Sequence, residues 1–175
     1  MRGVTAGLVV GLVFGSSAAA MTLSSSDIRQ GEPMPAAQIY PRCGGKNVSP
    51  ELSWTGAPAA ARSIVLTMID LDVKPAQWSH WVVVGLPTNV RTLPRGTAVL
   101  PRGAAAVVSN FGDAAYAGPC PPAGTGTHHY QLTVWAIAMT RFPAVADEPA
   151  DKLAARLRAA ALDRASLTAT VDAKP

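Results

Sequence analysis

The sequence predicts a mainly β fold, a β-sandwich of short strands with one helix near its C-terminal end, and three observations carry that expectation. Fifteen prolines and fifteen glycines are spread along 175 residues, and residues that fix or free φ at this density cut a chain into short segments joined by turns. Between them lie apolar, β-branched runs of strand length. Only one stretch repeats its apolar residues at the spacing of a helix.

The chain opens on Arg2, an apolar run from Val4 to Phe14 and small residues from Ser16 to Ala20. This is the pattern of a secretory signal, with cleavage expected after Ala18-Ala19-Ala20. The run is shorter than the roughly 20 residues a membrane-crossing helix needs, so no membrane span is expected once residues 1–20 are removed. Residues 21–175 are read as a single domain. Weak strands are read at Met21 to Leu23 and at Leu52 to Trp54. Ser63 to Asp70 (SIVLTMID) and His80 to Leu86 (HWVVVGL) are the clear ones, each closed by polar or proline residues. Ala105 to Val108 is weak again, and the Pro- and Gly-rich stretch Gly112 to Gly126 reads as an irregular loop of the kind that carries function. His129 to Met139 (HYQLTVWAIAM) is the longest strand. A helix is expected from about Pro149 to Ala165, with Leu153, Leu157, Ala160 and Ala161 on one face and Asp147 or Glu148 as cap. Leu167 to Val171 closes the chain as a weak strand.

Fifteen Lys and Arg against 11 Asp and Glu give a formal charge of +4, and loss of Arg2 with the signal lowers it by one. The cations are scattered and form no block, which excludes a nucleic-acid footprint and a polybasic membrane patch. Export implies a periplasmic or secreted protein in an oxidising compartment. There Cys43 and Cys120 either form a disulfide or stay as two buried thiols. A bridge would close a long loop and contribute about 4 kcal/mol in the chain-entropy account.

The chemistry gathers at strand ends. Asp70 and Asp72 end the Ser63 strand on the face of Ile64, Leu66 and Met68. Trp78, His80 and Trp81 open the next strand, and His128, His129 and Tyr130 open another. Adjacent strand residues point to opposite faces, so only one of His128 and His129 lines a pocket. Alternation groups His128 with Tyr130, and His80 with Val82 and Val84. A site of Asp70, His80, His128 and Tyr130 follows if those strand ends converge.

The segments Asn47-Val48-Ser49-Pro50-Glu51-Leu52-Ser53-Trp54, Asp70-Leu71-Asp72, Trp78-Ser79-His80-Trp81-Val82-Val83, Tyr116-Ala117-Gly118-Pro119-Cys120-Pro121-Pro122 and Gly126-Thr127-His128-His129-Tyr130 resemble, in order and spacing, the signatures of the phosphatidylethanolamine-binding proteins. The positions of Cys43 and Cys120 resemble the bacterial, Raf kinase inhibitor-like branch. The resemblance implies a β-sandwich with an anion pocket formed by Asp70, Asp72, His80, Gly118, Pro119, His128 and Tyr130, taking phosphate, phosphoethanolamine-like groups or acetate. Leu71 stands where the family usually has Pro, Lys74-Pro75 follows a shortened loop, and His129 replaces the usual Arg.

A small anion needs donors, which His80, His128, Tyr130 and loop N–H groups supply, with Asp70 orienting an imidazole. Carboxylates nearby are expected to raise the histidine pKa values, and burial opposes that. The expected function is therefore an exported binding protein for a small anionic ligand or a phospholipid headgroup, without turnover and without a cofactor. One alternative is an inhibitor or interaction protein with a periplasmic or secreted protein partner. Another is a hydrolase, for which a metal held by His80, His128 and Asp70 is the surviving form, because Ser79 faces away from His80 and Cys120 is the half of an expected bridge.

Overall fold

The computed structural model describes residues 19–174, so the signal segment lies almost wholly outside the described residues. Eight strands form two antiparallel sheets. The smaller contains β1 (Thr22–Ser24), β2 (Leu52–Thr55) and β5 (Thr92–Leu93), in the order β1-β2-β5. The larger has the order β6-β4-β3-β7-β8, with β3 at Ser63–Asp70, β4 at Trp78–Leu86, β6 at Ala105–Ala106, β7 at Thr127–Ile137 and β8 at Ala161–Asp172. The expected strand at Ala105 to Val108 is thus reduced to two residues. Among the described residues one α-helix, α1, spans Ala150–Ala160.

The unbroken apolar run of β3 has a structural cause, since both faces of the strand are covered. Ile64, Leu66 and Met68 pack with Trp81, Val83, Leu132 and Val134 against Leu52, Trp54 and Leu93 of the small sheet. Val65 on the other face packs with Val82, Val84, Trp135 and Ile137 against Leu153 and Leu157 of α1. Each fully buried aliphatic side chain contributes about 1.5–3 kcal/mol relative to exposure, so a charge anywhere along β3 before its last residue would be costly.

The helix expected to reach Ala165 ends at Ala160, and the chain passes directly into β8 with Ala161 already extended (φ −76°, ψ 135°). The edge of β7 explains the early stop. It offers backbone partners along almost its whole length, from Thr127 opposite Asp172 to Ile137 opposite Ala161. Residues Leu167, Ala169 and Val171 alternate inward on that strand, a pattern helix continuation would scramble. Neither expected cap acts as one. Pro149 holds the N-cap position without a side-chain bond. Glu148 pairs with Arg156 at 2.7 Å, and Asp147 accepts from the Asn110 amide at 2.9 Å.

Cys43, in a short 3-10 turn at Pro41–Cys43, is bonded to Cys120 with a Cα separation of 5.5 Å across 77 residues. The bridge ties that turn to the Pro-rich stretch preceding β7.

Candidate functional site

The site begins where β3 ends. Asp70 is the last residue of the strand, 2% exposed, on the same face as Met68. The β3–β7 register places Tyr130 directly opposite it, so antiparallel pairing alone brings carboxylate and phenol together. His128, two residues earlier on the same face of β7, is also buried, and its Nδ1 lies 2.7 Å from Oδ2 of Asp70. Its Nε2 is 2.9 Å from the Thr125 hydroxyl.

His80 arrives by a different device. Strict alternation would keep it with Val82 and Val84, which face α1 and not the carboxylate. The register of β4 on β3 slips instead: Trp81 pairs with Met68 and Ser79 with Ile69, leaving His80 opposite no residue of β3. Such a bulge inserts one residue and re-aims its side chain. The His80 ring therefore stands edge-on to Tyr130 at 5.2 Å and tilted against Phe111 at 5.3 Å. The expected grouping of His80 with Val82 and Val84 is corrected by this slip, although the residue itself does reach the site. Ser79 stays turned away, its hydroxyl 3.0 Å from Asn110 Oδ1.

Asp70, His80 and Tyr130 line a cavity of about 200 Å³ together with Phe111, Val73, Trp78 and the run Cys120-Pro121-Pro122. The remaining expected residues lie around it. Gly118 and Pro119 do not line it. The Gly118 N–H donates to Asn47 Oδ1 at 2.7 Å, and a Cβ at this glycine would fall 2.3 Å from the Gln38 carbonyl oxygen, so no other residue fits. The Pro119 carbonyl accepts from the Tyr40 N–H at 3.0 Å. Asp72 is turned outward, accepting from the His129 N–H at 2.6 Å with His129 Nδ1 at 2.9 Å. It shares a neighbouring hollow with Lys74, Thr125 and His128. The expected single anion pocket is thereby divided: three residues face the cavity, His128 supports Asp70 from the side, and Asp72 belongs next door.

Protonation follows burial. Desolvation of the His80 ring pushes its pKa down to about 4, outweighing the opposing pull of the Ala117 carbonyl and of Asp70. His80 Nδ1 is 3.1 Å from that carbonyl, so in the neutral ring Nδ1–H donates to it and Nε2 is left as an acceptor. The expected raised pKa is reversed at His80 because burial exceeds the charge effect. The Tyr130 hydroxyl is held protonated, first by burial and then by Asp70 beside it. At Asp72 burial acts upward, but hydrogen bonds from His129 outweigh it and the carboxyl falls below its ordinary value. Among the described residues no three His, Cys, Asp or Glu side chains converge as metal ligands.

Phe111 and Val73 were not identifiable from the sequence, since neither sits in a periodic run. Pro121 and Pro122 stand in the motif around Cys120, but their place in the cavity wall is a feature of the tertiary structure.

The family model described as phosphatidylethanolamine-binding protein matches residues 24–172. Among individual proteins, the chain is 34% identical over 140 residues to the Escherichia coli protein YbcL, covering 75% of this chain and 76% of that one. It is 38% identical over 128 residues to YbhB of the same organism, covering 69% and 80%. It is 35% identical over 115 residues to LppC of Mycobacterium tuberculosis, provisionally named a lipoprotein, covering 66% and 54%. The crystal structure of YbcL, described as a new member of the mammalian PEBP family, superposes with a TM-score of 0.81, at 32% identity over 89% of this chain and all of that one.

Proposed function

The chain belongs to the phosphatidylethanolamine-binding protein family, and from that premise we propose that it is an exported binding protein that holds the acid group of a small molecule, phosphate, phosphoethanolamine-like or carboxylate, without turning it over. The observation that carries this reading is a buried carboxylate, Asp70, held by His128 at 2.7 Å from the side and lining a cavity that also presents His80 and Tyr130. A volume near 200 Å³ suits a headgroup and not a whole lipid.

The character of the cavity refines the proposal. Asp70 accepts from the Asp72 N–H at 2.9 Å as well as facing His128, and neutral His80 offers a lone pair. Acceptors therefore outnumber donors, and an acid group enters carrying a proton: as the monoanion of a phosphate, or as a protonated carboxyl. Its P–OH or COOH hydrogen is donated to Asp70 or His80 Nε2, and one of its other oxygens accepts from Tyr130.

Absence of turnover is supported by what surrounds the cavity. The Ser79 hydroxyl points at Asn110, and Cys120 is bonded to Cys43, so neither is placed as a nucleophile. Export is supported by the disulfide and by the apolar run at residues 4–14. Calorimetry with inorganic phosphate on the unmodified protein and on Asp70→Asn tests the reading. Binding that disappears in the variant supports it, and equal binding by both refutes it.

A further inference from the structure

The contact that holds Asp70 continues through the His128 imidazole to a hydroxyl. His128 Nδ1 lies 2.7 Å from Asp70 Oδ2, and its Nε2 lies 2.9 Å from Thr125 Oγ1. With Nδ1–H donated to the carboxylate, Nε2 carries the lone pair. Hydroxyl, base and orienting carboxylate, each within hydrogen-bond reach of the next, form the arrangement that activates an oxygen nucleophile, and it is recognised by geometry and not by sequence order.

Thr125 is placed to be reached. It is exposed, in the turn before β7, between Gly124 (φ 74°) and Gly126 (φ 83°). A Cβ added at either glycine would meet nothing within 4 Å, so the chain on both sides of the hydroxyl is uncrowded. Thr125 lines, with His128 and Lys74, the hollow of about 310 Å³ beside the Asp70 cavity, and it does not line the cavity itself. Its one hydrogen has two acceptors. Oγ1 is also 2.7 Å from the Pro122 carbonyl oxygen, and rotation about the Cβ–Oγ1 bond moves the hydrogen from that carbonyl to Nε2.

We propose that Thr125 is a covalent acceptor for the acyl group of an activated carboxylic ester entering this hollow, a chemistry separate from the ligand held in the Asp70 cavity. Oγ1 attacks the ester carbonyl carbon, and a new C–O bond forms to Thr125 as the bond to the leaving alkoxide breaks. The hydroxyl proton passes to His128 Nε2 and from there to the alkoxide, which departs as the alcohol, while Asp70 keeps Nδ1–H throughout. Lys74 brings a positive charge to the hollow in which the oxyanion develops. His128 is buried with Thr125 over its Nε2, so the acyl group shields that nitrogen from water and the threonine ester persists. The expected outcome is one acyl group per chain and not turnover.

The test is p-nitrophenyl acetate on the unmodified protein, Thr125→Ser, Thr125→Val and Asp70→Asn, read by nitrophenolate release and by peptide mass spectrometry. Thr125→Val keeps the shape of an exposed side chain without its hydroxyl, so folding is not at risk, and thermal denaturation confirms it. The unmodified protein and Thr125→Ser are expected to carry one acetyl group at position 125, and Thr125→Val none there. Asp70→Asn is expected to slow acetylation at that position by on the order of a hundredfold, the scale of an oriented general base. Acetyl groups confined to lysines and the N-terminus overturn the proposal, as they would if Nε2–H donated to Oγ1 and left the hydroxyl unactivated. Acetylation of Thr125 at an equal rate in Asp70→Asn also overturns it, since the hydroxyl would then react without the relay.

Discussion

His128 Nδ1 stands 2.7 Å from Asp70 Oδ2, with both side chains at most 5% exposed. One residue along, His129 Nδ1 stands 2.9 Å from Asp72 Oδ2, with the two side chains 50% and 38% exposed. Strand alternation sends His128 and His129 to opposite faces, and the turn after β3, in which the Asp72 N–H donates to Asp70 Oδ1 at 2.9 Å, carries Asp72 round to His129, so that two His–Asp pairs form, one sealed and one wet.

Their energetic consequences differ. His128→Ala leaves a buried carboxylate without its partner and is expected to cost about 3–5 kcal/mol, together with ligand binding, because Asp70 loses the contact that aims it. His129→Ala removes an exposed pair and is expected to cost under about 1 kcal/mol, with affinity nearly unchanged. Urea unfolding and phosphate calorimetry on the two variants check both expectations.

His80 makes the fold acid-sensitive. Its pKa falls from the ordinary 6.5 to about 4 in the folded chain, so the unfolded state binds the proton first. Stability from this residue is present above about pH 6.5 and is lost as pH falls toward 4, by about 3 kcal/mol if the full shift is counted. His80→Gln is expected to flatten that part of the stability profile, measured as Tm against pH, and in the unmodified protein the His80 ring resonances are expected not to titrate above pH 5.

The disulfide holds the cavity wall. Thiol titration of the denatured, unreduced protein is expected to find no free thiol. Cys43→Ser with Cys120→Ser is expected to lower stability by about 4 kcal/mol, given a bridged separation of 77 residues, and to weaken phosphate binding by releasing Pro121 and Pro122.

The backbone at Met21, before which cleavage is expected, is tied to β8. Met21 is buried, and its backbone N–H donates to Asp163 Oδ2 at 2.9 Å. Cleavage at that point converts the donor to an ammonium facing a carboxylate. Asp163→Asn is therefore expected to destabilise a chain starting at Met21 by about 1 kcal/mol more than a chain carrying extra preceding residues, read by parallel denaturation of the two forms.

Much of this was legible in the residues. The apolar run Ser63 to Asp70 announces a strand covered on both sides, and its final carboxylate is conspicuous because everything before it is apolar or hydroxylic. The pairing of His128 with Tyr130 on one face follows from alternation alone. What could not be read were the tertiary overrides: a bulge that turns His80 across the sheet, an open edge on β7 that converts Ala161 to Ala165 from helix to strand, and an Asx-like turn that leaves Asp72 serving His129. Each depends on a partner distant in sequence. The direction of the His80 shift was equally hidden, since charge proximity is visible in a motif and the depth of burial is not.

Entry of an acid group into the cavity in its proton-bearing form is tested by the dissociation constants of methyl phosphate and of sulfate between about pH 5 and 8. Methyl phosphate loses its remaining proton near pH 6, so its dissociation constant is expected to rise about tenfold per pH unit above that point, while sulfate, which has no proton to give, is expected to bind poorly throughout. Sulfate binding as tightly as methyl phosphate, or a methyl phosphate profile that stays flat, would contradict the account.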